Sequence, residues 1–376
     1  MRKTAFWQRS VIFLSSVLTV LLLWSMAVSL DGSCTPRTVS VSIRQRVAAS
    51  AKERLAAVTE GIDGTRRVYR LSDRDLTAPK PDPRCYGTAS DPAQLEQLLE
   101  DAGNLLAGQE TLFSTQTPIL EGSTVSYYLD ETIFAVTWKQ PLGDSVYTFS
   151  EVKIAHPSQI RRFLAGGSYG SGVLYTTTEM AESVNAVVAS SGDYYGYRSF
   201  GIVVMDGQVY RSRGELLDTC YIDNNGDLLF TYAGEIATQE AAEAFVREND
   251  VRFSLCFGPV MILDGELCVP NEYNSGEVRS AYARAALCQL GPLHYAVVTA
   301  NAEKPFYSMP TMRQFAQQLY EQGIPTAYAL DGGQTASIAM NNQLINQVSY
   351  GSQRRISDIL YFATAVPEKA HTEVKP

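Results

Sequence analysis

An α+β fold with a mixed, largely antiparallel sheet is what this 376-residue sequence predicts, and three observations lead there. From about Glu121 onward, short apolar runs recur with Asp-Gly, Asn-Gly or Asn-Asn between them, the turn chemistry of tight hairpins. Amphipathic stretches that open on threonine lie among those hairpins, without the regular strand-helix-strand alternation of a parallel sheet. Hydrophobic residues make up 45% of the chain, enough for a sizeable core.

Taken in order, the first element is "VIFLSSVLTVLLLWSMAVSL", residues 11–30, which carries no charge and has the length of a membrane-crossing helix. Arg2, Lys3 and Arg9 precede it, and the first basic residue after it is Arg37. That bias keeps the N-terminus in the cytoplasm and sends the remainder outward. Ala27 and Ser29 would also suit a signal-peptide cleavage site, but the apolar stretch exceeds the usual signal-peptide core, so an uncleaved single-pass anchor is expected. Residues 1–34 therefore read as a cytoplasmic basic tip and signal-anchor helix, and the working domain as extracytoplasmic in the cell membrane.

Residues 35–120 read as a partly helical stalk: "RQRVAASAKERLAAV" has helical spacing, "TAPKPDPRCYGTASDPAQ" is a proline-rich break, and "QLEQLLEDAGNLL" is a short amphipathic run. Residues 121–366 form the expected domain. Within it "GIVVMDGQVYRS", "CYIDNNGDLLFTY", "PVMILDGELCVP" and "ASIAMNNQLINQV" read as hairpins. "TTTEMAESVNAV" and "TQEAAEAFVREN" read as helices with threonine starts. "MPTMRQFAQQLYEQGIP" is a third, with Pro310 placed in the first turn, Met312, Phe315, Ala316 and Leu319 on one face, and Gly323 and Pro325 ending it. The final "PEKAHTEVKP", residues 367–376, reads as a disordered tail.

The net charge of −9 repels polyanions and argues against nucleic acid as a partner, while a local basic pocket can still hold one phosphate. Six cysteines show neither Cys-x-x-Cys nor metal spacing, leaving bridges and free thiols both open. Three histidines leave little room for histidine-based catalysis: His371 lies in the tail, His156 precedes a proline, and His294 opens the strand "LHYAVVTA". No Gly-x-Ser-x-Gly elbow occurs, and "GGSYGSG" lacks the lysine of a phosphate loop. The 21 tyrosines are first of all good strand residues, and secondly faces on which sugar rings stack.

What remains is a set of acids and arginines next to glycines at strand ends. In "TAYALDGGQTASIAM", Asp331 reads first as a hairpin turn residue, with a substrate-facing carboxylate as the alternative. "VVASSGDYYGYRSFG" runs from an apolar strand into Asp193, where small residues let a ligand approach the backbone. "YARAALCQL" puts Arg284 inside an apolar strand pattern, a costly place unless the guanidinium meets an anion. "SQRRISDILYF" holds Arg354 and Arg355 just ahead of a strand. Each has a structural alternative as turn acid, edge arginine or ion-pair member.

Together these stretches resemble the phosphodiester glycosidase family over roughly residues 145–365. "VASSGDYYG", "FGPVMILDGEL", "ARAALCQL", "AYALDGGQTASIAMNNQLIN" and "RRISDILYF" follow the family's motifs in the family's order. Asp193, Arg284, Asp331, Gly332, Gly333 and Arg355 stand where the family keeps those residue types. Departures fall on polar neighbours: Ser191 replaces an asparagine, Ala283 and Ala285 replace a proline and a threonine, and Gln334, Thr335 and Ala336 replace Gly-Ser-Ser.

The resemblance implies hydrolysis of a sugar-1-phosphodiester. Asp331 and Asp193 would be the catalytic carboxylates, Arg284 and Arg355 the grip on phosphate, and Tyr194 and Tyr195 the sugar contacts. Gly332 and Gly333 would allow close approach and offer backbone N–H groups. The implied substrate is a glycosyl phosphodiester or an envelope polysaccharide. No ligand spacing demands a cofactor or metal, though an acid-rich phosphate site is compatible with a divalent ion. Two other readings stand beside this one. The altered polar neighbours fit a degenerate member that binds glycans without cleaving them. Scattering of Asp193, Arg284, Asp331 and Arg355 over separate faces would instead indicate a stalk-and-head structural protein.

Overall fold

The computed structural model describes residues 69–72, 75–105, 125–274 and 278–368. The expected anchor helix, the first helical stretch of the stalk (44–58) and the tail beyond residue 368 lie outside the described residues. Among those that are described, no helix is long and apolar enough to cross a membrane.

In chain order the elements are β1 (Tyr86–Ala89), α1 (Pro92–Leu105), β2 (Val125–Leu129), β3 (Ile133–Leu142), β4 (Ser145–Ile154), β5 (Ile160–Leu164), α2 (Thr177–Ser183) and β6 (Val188–Ser191). Next come β7 (Gly201–Met205), β8 (Gln208–Arg213), β9 (Thr219–Asp223), β10 (Leu228–Thr231), α3 (Gln239–Glu248), β11 (Val251–Leu255), β12 (Val260–Leu263) and β13 (Glu266–Leu267). The rest are β14 (Arg284–Gly291), β15 (His294–Asn301), α4 (Met312–Glu321), β16 (Thr326–Leu330), β17 (Ile338–Met340), β18 (Gln343–Leu344) and β19 (Asp358–Phe362).

Nine strands form one sheet in the order β1-β2-β3-β4-β15-β14-β16-β12-β13, and five form a second in the order β18-β17-β6-β19-β5. Both are antiparallel between neighbours. All four predicted hairpins are present, as β7-β8, β9-β10, β12-β13 and β17-β18.

The layering follows from side-chain alternation. Along β14, Ala286 and Cys288 pack with α1 and α4, through Leu95, Leu98, Phe315 and Leu319. Ala285 and Leu287 face the other way, toward Val188, Ile338 and Leu360 of the five-stranded sheet. On that sheet's far face, Ala189, Ala339 and Ile359 meet Met180 and Val184 beside α2. A strand buried on both faces has no polar side to show, which is why β14 and β15 read as continuous apolar runs rather than alternating ones.

Three expectations are corrected here. Residues 86–105 are not stalk: β1 pairs with β2, and Leu95 and Ala102 of α1 enter the main core. Pro310 lies outside the first turn of α4, because Thr311 is the N-cap and its side chain accepts the backbone N–H of Gln314. Asp331 is no hairpin residue either. β16 belongs to the nine-stranded sheet and β17 to the five-stranded one, so Asp331-Gly332-Gly333 carries the chain from one sheet to the other.

Candidate functional site

The two sheets touch where that crossing happens. The Asp331 N–H donates to the Gly192 carbonyl at 3.3 Å, just past the end of β6, and the Gly192 N–H donates to the Asp358 carbonyl at 3.2 Å. The ends of β16, β6 and β19 thereby meet at one corner. Gly332 is required for the crossing, since a Cβ there would come within 2.5 Å of the Ala283 carbonyl oxygen. Gly333 has φ +64 and gives its N–H to that same carbonyl at 2.7 Å. The Gly333 amide is therefore occupied within the fold.

Asp331 is 8% exposed, and its Oδ2 is buried without a hydrogen-bond partner. Burial pushes its carboxyl up to about 7, against the hydrogen bond from Thr335 and the charges of Arg198 and Arg354, with Asp193 adding to the rise. Such a group changes charge near neutral pH, where a carboxyl serves best as a proton acceptor.

Arg198 is one of the two cations whose charge acts on that carboxyl. Its Nε, Nη1 and Nη2 are all buried with no hydrogen-bond partner. The guanidinium is held by aromatic faces, 5.9 Å from the Tyr194 ring centre, 5.7 Å from Phe200 and 5.6 Å from Phe257. Arg211 fixes the loop that carries it, donating from Nη1 to the carbonyls of Tyr195 at 3.0 Å and Arg198 at 2.6 Å. A buried guanidinium with no hydrogen-bond partner and a buried carboxyl with one unpartnered oxygen, which form no ion pair with each other, are an unusual arrangement for an interior.

Asp193 reaches the same corner but is fully engaged. Its Oδ1 accepts the Tyr195 N–H at 2.6 Å, and its Oδ2 accepts the Cys256 N–H at 2.8 Å and pairs with Arg162 at 3.1 Å. Arg162 also donates from Nε to Asp358 at 2.8 Å and from Nη1 to the Ser254 carbonyl. Burial alone would lower the Arg162 pKa, but the two carboxylates more than offset it and hold the group charged. This network orders the loop after β6, and with it Tyr194 and Arg198.

The other expected residues divide. The Tyr194 hydroxyl accepts from Arg354 Nη2 at 3.3 Å, and its ring stacks on Tyr197 with centres 4.7 Å apart, at the edge of the corner. Tyr195 turns inward, 5% exposed, beneath Arg162 and against Tyr169. The Arg284 guanidinium is directed to the carbonyls of Pro310 at 3.3 Å and Ser280 at 2.5 Å, while its backbone underlies Gly332. Arg355 donates to the Leu174 carbonyl at 2.8 Å and pairs with Glu179 at 3.1 Å on the surface. Its neighbour Arg354 takes the direction of Asp331, because successive side chains of an extended segment face opposite ways.

Arg198 and Arg162 are the residues that sequence reasoning missed. Arg162 carries the signal that singled out Arg284, an arginine inside an apolar strand, and carries it in "IRRFL". Arg198 lies in the quoted segment "VVASSGDYYGYRSFG" but has no local feature that marks it. Among the described residues no three His, Cys, Asp or Glu side chains converge as a metal site.

Residues 184–363, which span Asp193, Arg198, Asp331 and Arg354, match the phosphodiester glycosidase family. This segment is a domain of that family. The family's chemistry is hydrolysis of phosphodiester-linked glycosides. The fold of the phosphodiester glycosidase domain is shared with the catalytic domain of zebrafish N-acetylglucosamine-1-phosphodiester alpha-N-acetylglucosaminidase, auto-inhibited by its pro-peptide. That likeness has a TM-score of 0.50 and 16% identity, over 80% of this chain and 96% of that one. A hypothetical protein from Synechocystis (TM-score 0.45, 14% identity, 66% and 64% covered) and a putative exported protein from Burkholderia pseudomallei (0.39, 12%, 58% and 74%) are more distant. No curated protein matches the chain.

Proposed function

We propose that this phosphodiester glycosidase domain hydrolyses a sugar-1-phosphodiester of an envelope or extracellular glycan, outside the membrane in which the N-terminal apolar segment anchors the chain. One observation carries the reading. A buried carboxyl with an unpartnered oxygen and a buried arginine with three unpartnered nitrogens act on each other without forming an ion pair. A glycosyl phosphodiester satisfies both. Arg198, with Arg354 beside it, takes the phosphate oxygens, for which a planar guanidinium offers paired hydrogen bonds. Asp331 then faces the anomeric carbon.

Phosphate departs from C1 without needing a proton, so the demands on the protein are a base for water and negative charge near the developing oxocarbenium ion. Ionised Asp331 supplies both. Asp193, with both oxygens engaged, acts as a positioning residue for the loop of Tyr194 and Arg198. With Asp331 acting as base, water attacks C1 directly and the configuration inverts.

The test is hydrolysis of aryl sugar-1-phosphodiesters by the full-length chain in mild detergent, with the anomer of the released sugar followed by NMR. The inverted anomer is the product expected of Asp331 acting as base, and the retained anomer would show that its unpartnered oxygen attacks C1 as a nucleophile instead. The pH profile is a second check: kcat/KM should rise as pH climbs through about 7, where Asp331 ionises. A profile that falls across that range contradicts the role of base. Binding of the diesters with no turnover at any pH would favour a member that holds glycans without cleaving them, the reading that the substitutions at Ser191, Ala285, Gln334 and Ala336 support.

A further inference from the structure

Beside the corner lies a surface that the chemistry above does not use. The segment from Ser349 to Ile356 forms its wall. Tyr350 is 91% exposed and has φ +63, a left-handed conformation that a bulky side chain rarely adopts. Gly351 follows with φ +70, so the turn has been shaped to point an aromatic ring into solvent. Tyr197, 38% exposed, lies beneath Arg354 with 4.8 Å between guanidinium carbon and ring centre, and its hydroxyl donates to the Arg355 carbonyl at 2.8 Å. Tyr175, also 38% exposed, pairs by backbone with Ile356 and carries Arg355 over its ring at 5.8 Å. Gln334, three residues after Asp331, donates to the Ser352 carbonyl at 3.1 Å. The wall is thus continuous with the crossing loop that carries the reactive carboxyl.

We propose that Tyr350 and Tyr175 form a carbohydrate-binding platform that holds a sugar chain extending from the reacting linkage, so that the substrate is a polymer. This rests on the reading of the corner as a sugar-1-phosphodiester site. Three features favour sugar over a protein surface. Exposed tyrosine faces with polar edges suit pyranose rings, which present an apolar C–H face and hydroxyl rims. Between Tyr350 and Ile356 the chain offers only Gly, Ser, Gln and Arg, with none of the aliphatic residues that a second copy would bury. Arg354, already at the corner, supplies the positive charge that a chain with phosphates along it would meet.

The decisive experiment is affinity electrophoresis of the full-length chain in detergent gels containing phosphomannan, with dextran of equal size as the neutral control, beside hydrolysis of an aryl sugar-1-phosphodiester. Wild type should be retarded by phosphomannan. Tyr350→Ala with Tyr175→Ala should weaken that retardation by about tenfold in apparent Kd and leave kcat/KM on the aryl substrate within about twofold. Both side chains are exposed, and an unchanged melting curve verifies that the variant folds. Equal retardation of variant and wild type overturns the platform, as does no retardation of wild type. A shift of the variant from dimer to monomer by light scattering would instead assign the patch to self-association and also overturn it. If retardation depends on the tyrosines but no aryl diester is hydrolysed, the platform stands and the cleavage reading falls.

Discussion

Asp331→Asn should lower kcat/KM on a sugar-1-phosphodiester by about 10²–10⁴-fold, the range for loss of a positioned general base, while making the protein more stable at alkaline pH. The two effects have one cause. The folded state holds the Asp331 carboxyl at about 7, above its ordinary 3.8, because burial penalises the charged form. Between those values the native protein binds more protons than the unfolded chain, so stability falls as pH rises across the window. Above about 7 the ionised group destabilises the fold by roughly 4 kcal/mol at most. Asparagine has the same shape and no charge. Urea unfolding should therefore show the variant more stable than wild type at pH 8.5 and equal to it below the ordinary carboxyl range. Full activity in the variant, or equal stability at both ends of the scale, would remove Asp331 from the role assigned to it.

The second large effect is expected at Arg198. Replacement by methionine leaves an apolar chain among Tyr194, Phe200 and Phe257 and removes three buried nitrogens that have no partner. Without ligand, Arg198→Met should be stabilised by about 1–3 kcal/mol, the usual penalty for unsatisfied buried polar groups. Its kcat/KM should fall about 10²–10³-fold, as expected for a charge-assisted contact to an anion. Inorganic phosphate separates this from a packing effect. It should raise the melting temperature of wild type by mass action and leave that of the variant unmoved. Equal protection of both proteins by phosphate would place the anion elsewhere.

These expectations share a feature of working sites: the groups that perform the reaction are the ones the apo fold leaves unsatisfied, at a cost in stability. Asp193 shows the opposite case. It stands at the same corner as Asp331 and has the same chemistry, yet its oxygens are fully used by Tyr195, Cys256 and Arg162. Residue type and position in a motif do not separate these two aspartates. Their hydrogen-bond partners do, and those partners come from β5, from the loop after β6 and from the end of β11.

The hairpins were legible because their turn chemistry is local: Asp206-Gly207, Asp264-Gly265 and Asn341-Asn342 are left-handed at both residues, and Gly226 is left-handed in the fourth turn. The helices were legible for the same reason, with Thr176, Thr238 and Thr311 all serving as N-caps. The Asp331 turn reads as a hairpin because Asp-Gly fits one equally well, and only long-range pairing sends β16 and β17 into different sheets. Residues 86–105 read as stalk from sequence because a short amphipathic helix carries no mark of the sheet that will cover it.

Turn types, caps, the apolar strands and the acids and arginines at their ends were therefore set by neighbours within a few residues, and a single sequence was enough to read them. Which arginine meets Asp331, and which aspartate keeps a free oxygen, was decided by contacts between segments far apart along the chain. Arg354 and not Arg355 faces the corner through the phase of one extended segment, and Arg198 arrives through a loop pinned by Arg211 and Asp193. Electrostatics and solvation depend on distance in space, so the chemistry of the site exists only after the two sheets have met.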